Sequence, residues 1–490
     1  MYNIIQREII LTTVSKKIKF DAVKQLLQKV FGSRLFPFVT AAVIIFCYYL
    51  SLDLVAIYYV AITGILILLF CDDLTPFITL LAFMCVIISY KNSPSDTAGA
   101  SDYFFRTAVF CQVVIAITLL VCTAVYRLVK TCCQHKFKLS PIFLGLCVLS
   151  ATFLLNGAFS EHYTPMNLLY GFFQAGIYAG LFALLKDNVK IGEDTFEKIA
   201  LTFLALSILL VIELFISYFT YEGIYIDGKL NRDTLMYGWG VYNTMGMLLV
   251  LCIPAVIYLA GKYKHGYVLT IYSLLLVFSC FLTTSRQAMV GVAVIYPLSI
   301  IYMFIKSRKR LVNLIILLVA VAAAIAIVIV KWNSVYNAFS QIFANVIVEG
   351  QLNGSGRIKI YRMAIDHFST APVFGVGFYS PGLESTMNNV SGLDIIPYFY
   401  HNTILQMMAS CGFVGLFAYL AHRTQTVMSY FKNITVERSF IAVAILALLI
   451  VSLLDVHMFD ILPTLTYSSL LAVLAASEKK RNPSPGKSKK

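Results

Sequence analysis

The chain reads as an all-α polytopic membrane protein of about fourteen transmembrane helices (twelve to fourteen), and three observations predict this. Of 490 residues 59% are hydrophobic and only 13% charged. That is about half the charged content of a soluble domain, so such a fold could not cover its own apolar surface in water. Apolar runs long enough for a hydrocarbon core of about 30 Å recur along almost the whole chain. The runs are continuous and lack the ten-residue alternation of a membrane barrel.

In order, the spans fall at residues 36–52, 54–70, 75–90, 107–129, 140–159, 167–185 and 199–221, then at 240–260, 267–283, 288–306, 311–330, 402–420, 440–458 and 461–477. The third and last are short and the gaps beside Asp53 and Pro463 are tight, which is how a count of twelve would arise. Lys and Arg set the orientation, because positive residues are retained on the cytoplasmic side. With the N-terminus inside, 29 of the 38 Lys and Arg lie in inside segments and nine outside. One missed span would invert every later loop, so the asymmetry supports number and direction together and puts both termini in the cytoplasm. The chain then divides into a cytoplasmic segment (1–35), spans one to eleven (36–330), one long extracytoplasmic loop (331–401), spans twelve to fourteen (402–477) and a basic cytoplasmic tail (478–490).

The net charge of +14 is mostly a topology signal. Its cations are scattered over seven cytoplasmic segments, where they suit anionic lipid and not nucleic acid. Residues 1–35 lack the compact layout of a cleavable signal. Within and beside them Phe20, Val23, Leu26, Leu27, Val30 and Phe31 have the spacing of a helix lying on the inner membrane surface. The eleven cysteines fall in spans or on the cytoplasmic side, as Cys132 and Cys133 do, so neither a disulfide framework nor a metal site is expected.

The outside cations carry the functional signal. Four of them, Lys331, Arg357, Lys359 and Arg362, lie in the 331–401 loop, and loops that long are usually functional or disordered. Residues 357–368 place Ile358, Tyr361, Ile365 and Phe368 on one face of an amphipathic helix flanked by Arg357 and Arg362, suited to the outer leaflet. Gly354, Ser355 and Gly356 ahead of it offer backbone amides to an anion. Arg286 stands at the junction of the ninth and tenth spans, where an arginine costs up to about 2.5–3.5 kcal/mol at full depth. Snorkelling to headgroups would satisfy it; a bound anion accounts for it better.

The run Gly356-Arg357, Ala364, Phe368, Ala371-Pro372, Phe374-Gly375-Val376-Gly377, then Tyr400-His401-Asn402-Thr403-Ile404-Leu405-Gln406 and Gly412-Phe413-Val414-Gly415 resembles the signature of the O-antigen ligase and O-antigen polymerase family. Ser285, Arg286 and Gly291 resemble its earlier motif, and Asn243 after Tyr237-Gly238-Trp239-Gly240 is similar in kind. The strong part covers residues 283–415. The resemblance implies a glycosyltransferase C-like, multi-helix enzyme that moves a glycan from undecaprenyl diphosphate to a hydroxyl of an acceptor glycan or lipid. The reaction would lie on the outer face of the bacterial cytoplasmic membrane and build a surface polysaccharide such as O-antigen, capsule or exopolysaccharide. No cofactor, metal or nucleotide sugar is implied. The implied partners are the lipid-linked glycan, membrane lipids and a chain-length regulator.

Arg286 and Arg357 match the family's arginines, and charge-assisted, bidentate hydrogen bonds suit them to a departing diphosphate. Arg232, Lys359 and Arg362 are further candidates for the anion, and Tyr361, Tyr379, Tyr400 and Asn402 for the substrate around it. Histidine is the side-chain type suited to a general base at neutral pH, which makes His401 the candidate to take the acceptor's proton. A lone His at a membrane boundary is more often an interfacial hydrogen-bonding group. Asn402, the aromatic run Tyr398-Phe399-Tyr400 and arginines on the same side favour the base, with His367 as its natural substitute. The chain differs from the commoner family pattern at Ile360-Tyr361 and in its extra N-terminal spans, and polymerisation and ligation both stay open. A flippase for lipid-linked oligosaccharide is the rival from another class. Flippases show two similar halves and charges along a central path, whereas the polar residues here gather at one outer patch.

Overall fold

The computed structural model describes residues 21–87, 107–134, 140–160, 165–192, 194–220, 242–333, 357–378 and 399–479, with short stretches at 225–226, 229–230, 235, 336–337, 340, 347–348 and 351–352. A helix stands at each predicted span. The first eleven are α2 (Phe36–Tyr49), α3 (Asp53–Phe70), α4 (Thr75–Phe83), α5 (Thr107–Gln134), α6 (Pro141–Phe159), α7 (Pro165–Asn188), α8 (Thr195–Thr220), α9 (Tyr242–Lys262), α10 (Tyr267–Leu282), α11 (Arg286–Lys306) and α12 (Arg310–Val330). After the surface helix α13 (Arg357–Thr370) come α14 (Thr403–Lys432), α15 (Val436–Ser452) and α16 (Ile461–Ala476). The extended segments described are two antiparallel pairs two residues long.

The starts of these helices follow local chemistry. Pro37, Pro76 and Pro141 sit in first turns, where a missing N–H costs nothing. Ser140, Thr435 and Asn402 cap α6, α15 and α14 by accepting backbone N–H groups of the first turn. By length and composition nine of the described helices can cross a membrane, or ten if α1 (Asp21–Phe31) and α2 count as one bent span; α10 and α16, and α4 with the 3-10 turn after it, are shorter. The bend between α1 and α2 is 77°, and Val23, Leu26 and Val30 of α1 are exposed, the geometry of a helix turned across the end of the bundle. α9 lies at the centre, buried from Met245 through Gly261, against α8, α10, α11 and α15. By contrast α12 buries only Asn313 and leans on α10.

Acidic and basic residues of successive connections meet at one end of the bundle. Glu197 receives Lys262 at 2.5 Å, Tyr263 at 2.8 Å and Arg34 at 3.3 Å. Lys24 pairs with Asp72 at 2.8 Å, Lys432 with Glu478 at 3.4 Å, and Lys306 with Glu437. All these residues belong to connections that the charge count assigns to one side, so the helices return to a common face as the alternation of spans requires. This face is the Glu197 end.

Two expectations need correcting. The span expected at 440–458 is a helix only from Val436 to Ser452, and residues 453–460 form turns. Asp455, His457 and Asp460 interrupt it, because buried charged groups need partners that an isolated apolar helix cannot supply. The amphipathic helix is present as α13, but its packed face is different. Ala364 is buried, with Ile360 and Met363, against Tyr400, Leu405 and Ala409, while Ile365 is half exposed. The neighbour α14 decides which side is covered.

Candidate functional site

The opposite end is organised by a break in α14. Gly412 has φ +63°, and a Cβ there would lie 2.4 Å from the Val373 carbonyl oxygen. Gly375, at φ +78°, would meet the Ser410 backbone at 2.3 Å. Only glycine permits both the left-handed backbone and this approach. Residues 371–378 therefore run against the break, Val376 N–H donating to the Ala409 carbonyl (2.9 Å) and Phe413 N–H to that of Pro372 (2.8 Å). Asn156 of α6 donates to the Phe374 (2.8 Å) and Ser410 carbonyls, and Asn167 of α7 accepts from Phe378 N–H at 2.7 Å. The glycine motifs thus fix the break nine residues after the start of α14.

His401 stands just before that start, with Asn402 as its N-cap, and has φ +51°. His401 Nδ1 lies 2.8 Å from Asp455 Oδ1. Arg357 Nη2 is 3.8 Å from the other oxygen of Asp455, and Arg357 Nη1 donates to the Leu454 carbonyl. Asn243 Nδ2 reaches Asp455 at 3.5 Å, and Asn243 Oδ1 accepts from Ser285 at 2.9 Å. The Gln287 amide donates to the Asn243 carbonyl (3.1 Å) and lies 2.9 Å from His457 Nε2. Segments beside α9, α13, α14 and α15 so converge on one carboxylate, and the one beside α11 joins them through Asn243.

Burial alone would raise the Asp455 carboxyl. The His401 hydrogen bond, with the charges of His457, His401 and Arg357, outweighs it and holds the group well below the usual carboxylate range. An ionised carboxylate only accepts, so Nδ1 of His401 carries the hydrogen and Nε2 is left to take a proton. His457 is pulled the other way. Burial lowers its pKa, but the hydrogen bond from Nδ1 to Asp460 (3.3 Å) and the charges of Asp455 and Asp460 raise it above the ordinary histidine value. Among the described residues no group of three or more His, Cys, Asp or Glu is arranged to hold a metal ion.

The residues singled out in the sequence divide unevenly. Arg357 and His401 share Asp455, and Arg286 opens α11 beside Ser285, whose hydroxyl is in the same network. Asn402 serves as cap and also donates to the Leu453 carbonyl at 2.8 Å. Tyr361 donates to the His401 carbonyl at 3.3 Å. Tyr400 is fully buried, with its hydroxyl 2.6 Å from His367 Nδ1, so it supports the site from behind instead of facing it. Lys359 and Arg362 are exposed on α13. Arg232 and Tyr379 lie outside the described residues. Asp455, His457 and Gln287 were not anticipated. Their signal was present: an Asp-x-His-x-x-Asp run, Asp455 to Asp460, inside an apolar stretch is too costly to be casual.

Residues 271–420 match the family model described as O-Antigen ligase. No curated protein matches the chain. The matched segment includes Arg286, Arg357 and His401, and leaves Asn243 and Asp455 outside it. It supports a glycosyltransferase-like activity of the O-antigen ligase or polymerase kind, with lipid-linked glycan substrates in a bacterial membrane. Residues 271–420 of this chain are thus similar to the O-antigen ligase family, and the rest of the chain lies outside that match.

Proposed function

We propose that this protein polymerises, or ligates, undecaprenyl-diphosphate-linked oligosaccharide units into a surface polysaccharide without a metal. The supporting observation is the His401–Asp455 pair at 2.8 Å, with Arg357 3.8 Å from the same carboxylate. About fourteen crossings, cytoplasmic termini and an outward-facing His401 end complete the reading, with residues 331–401 as the outer loop and 478–490 as the inner tail.

In the reaction an acceptor hydroxyl oxygen attacks the anomeric carbon of the donor. The bond from that carbon to the diphosphate oxygen breaks, and the hydroxyl proton passes to His401 Nε2. Asp455 holds the imidazole in the required tautomer and stabilises its charged form. The diphosphate departs with both electrons of the broken bond. Arg357 has five donors, and its contacts to Leu454 and Asp455 leave others for that developing charge. Arg286, at the N-terminus of α11, adds a second guanidinium where the helix dipole also favours an anion.

The test uses purified, reconstituted protein and a synthetic undecaprenyl diphosphate repeat unit, without added metal or ATP. Wild type should release lipid diphosphate and form longer glycans, and His401→Ala should lose about 10²–10⁴ in rate while eluting as folded protein. Undiminished elongation by His401→Ala would discard the base. Transbilayer movement of the donor without bond formation would favour a flippase.

A further inference from the structure

A cavity of about 480 Å3 opens at the Glu197 end, lined among others by Tyr258, Lys262, Lys306, Thr435, Glu437 and Arg438. Its volume is within the ~300–1,000 Å3 range of small-ligand sites. It lies at the end of the bundle opposite His401, so the chemistry above does not use it. Its walls come from the same helices, α9, α11 and α15, whose other ends carry Asn243, Gln287 and Asp455.

The wall is more cationic than its ion pairs neutralise. Lys262 is matched by Glu197 and Lys306 by Glu437, and each ammonium has further donors to give. Arg438 is 1% exposed. Its Nη1 donates to the Leu474 carbonyl (2.8 Å) and the Ser477 hydroxyl (2.9 Å), and its Nη2 to the Ser429 carbonyl (2.7 Å). None of these partners carries charge, and Arg438 Nε has no hydrogen-bond partner. The carboxylate acting on it, Glu478, makes no hydrogen bond to it and is shared with Lys432, so the buried guanidinium is only partly compensated. α15 starts at the same wall, capped by Thr435, so the positive end of its dipole adds to the field.

We propose that this cavity binds a phosphoryl anion, either free or as the headgroup of an anionic phospholipid, held by Lys262 and Lys306 and drawn by the partly compensated charge of Arg438. A phosphoryl group fits because several donors on different helices converge and it offers several acceptor oxygens to them. The inference does not depend on the glycan chemistry, and binding is its readout.

Full-length protein in detergent is titrated with inorganic phosphate, against chloride of equal ionic strength, while its Tm is followed. In parallel, protein from vesicles of phosphatidylcholine with phosphatidylglycerol is analysed by native mass spectrometry for retained lipid. Two variants are compared: Lys306→Gln, and Lys306→Gln with Glu437→Gln, which removes the pair without leaving a lone carboxylate. A phosphate-specific rise of a few degrees that both variants lose supports the free anion. Retained phosphatidylglycerol that both variants lose supports the headgroup. The proposal is overturned if neither ligand binds beyond its control, or if binding is the same in wild type and both variants.

Discussion

The two ends of this bundle handle charge in different ways. At the Glu197 end the carboxylate meets cations and a phenol at helix termini of ordinary geometry, and other carboxylates nearby have one cation each. At the His401 end a single carboxylate, Asp455, is shared by His401, Arg357, Asn243 and His457. The backbone differs too. The three described non-glycine residues with positive φ are Ser51, Thr284 and His401. Thr284 and His401 flank the shared carboxylate's network. Ser51 follows Tyr49, which bonds Glu213, about 24 Å along α8 from Glu197 at 1.5 Å per residue. Such conformations cost roughly 1–3 kcal/mol each and persist where surroundings over-determine them. One end is built to hold helices together, and the other holds a histidine in a strained, surrounded position.

That contrast can be broken in four places. Asp455→Asn should lower turnover by about 10²–10⁴ with little loss of fold, since the amide keeps the shape but not the tautomer preference; glycan length and a melting curve read the two effects. A variant with wild-type turnover would remove Asp455 from the site. Glu197→Gln should do the reverse, costing about 3–5 kcal/mol of stability while the folded fraction keeps its specific activity. Gly412→Ala is expected to destabilise by more than about 1 kcal/mol, through the positive φ and the Val373 contact, and to lower activity by displacing the start of α14. Chromatographic monodispersity and activity on one sample would separate these.

The smallest effect is on pH. His457 has a raised pKa, so its contribution to stability is complete below about 6.5 and is lost as pH rises through the raised value. Asp455 has a lowered pKa, so its contribution is complete above about 3.8 and is lost only as pH falls through the depressed value. The Tm of the purified protein should therefore be highest between these limits and decline first on the alkaline side. His457→Gln should flatten that decline.

Position in the sequence was enough to find the apolar helices, because hydrocarbon demands long apolar runs and leaves little freedom in where they lie; nine of those described, or ten with the bent pair, are long enough to cross a membrane. Arg357 and His401 stand out in the sequence as members of one motif run, and the structure brings both to Asp455. α15 shows the limit: its expected span ran on to residue 458 because Val456, Met458 and Phe459 continue the apolar pattern, although the helix stops at Ser452. Ile365 shows another, since helical periodicity identifies a face but not the neighbour that covers it.

The amino-acid order by itself determined that this is a helical membrane protein with an O-antigen ligase-like segment, since burial in lipid and local glycine geometry are written residue by residue. Only the tertiary structure decided that Asp455 is the partner of His401, 54 residues away in the chain, and that Arg438 lines a cavity at the far end. Pairings of that kind depend on which helix ends come together, and no local pattern encodes them.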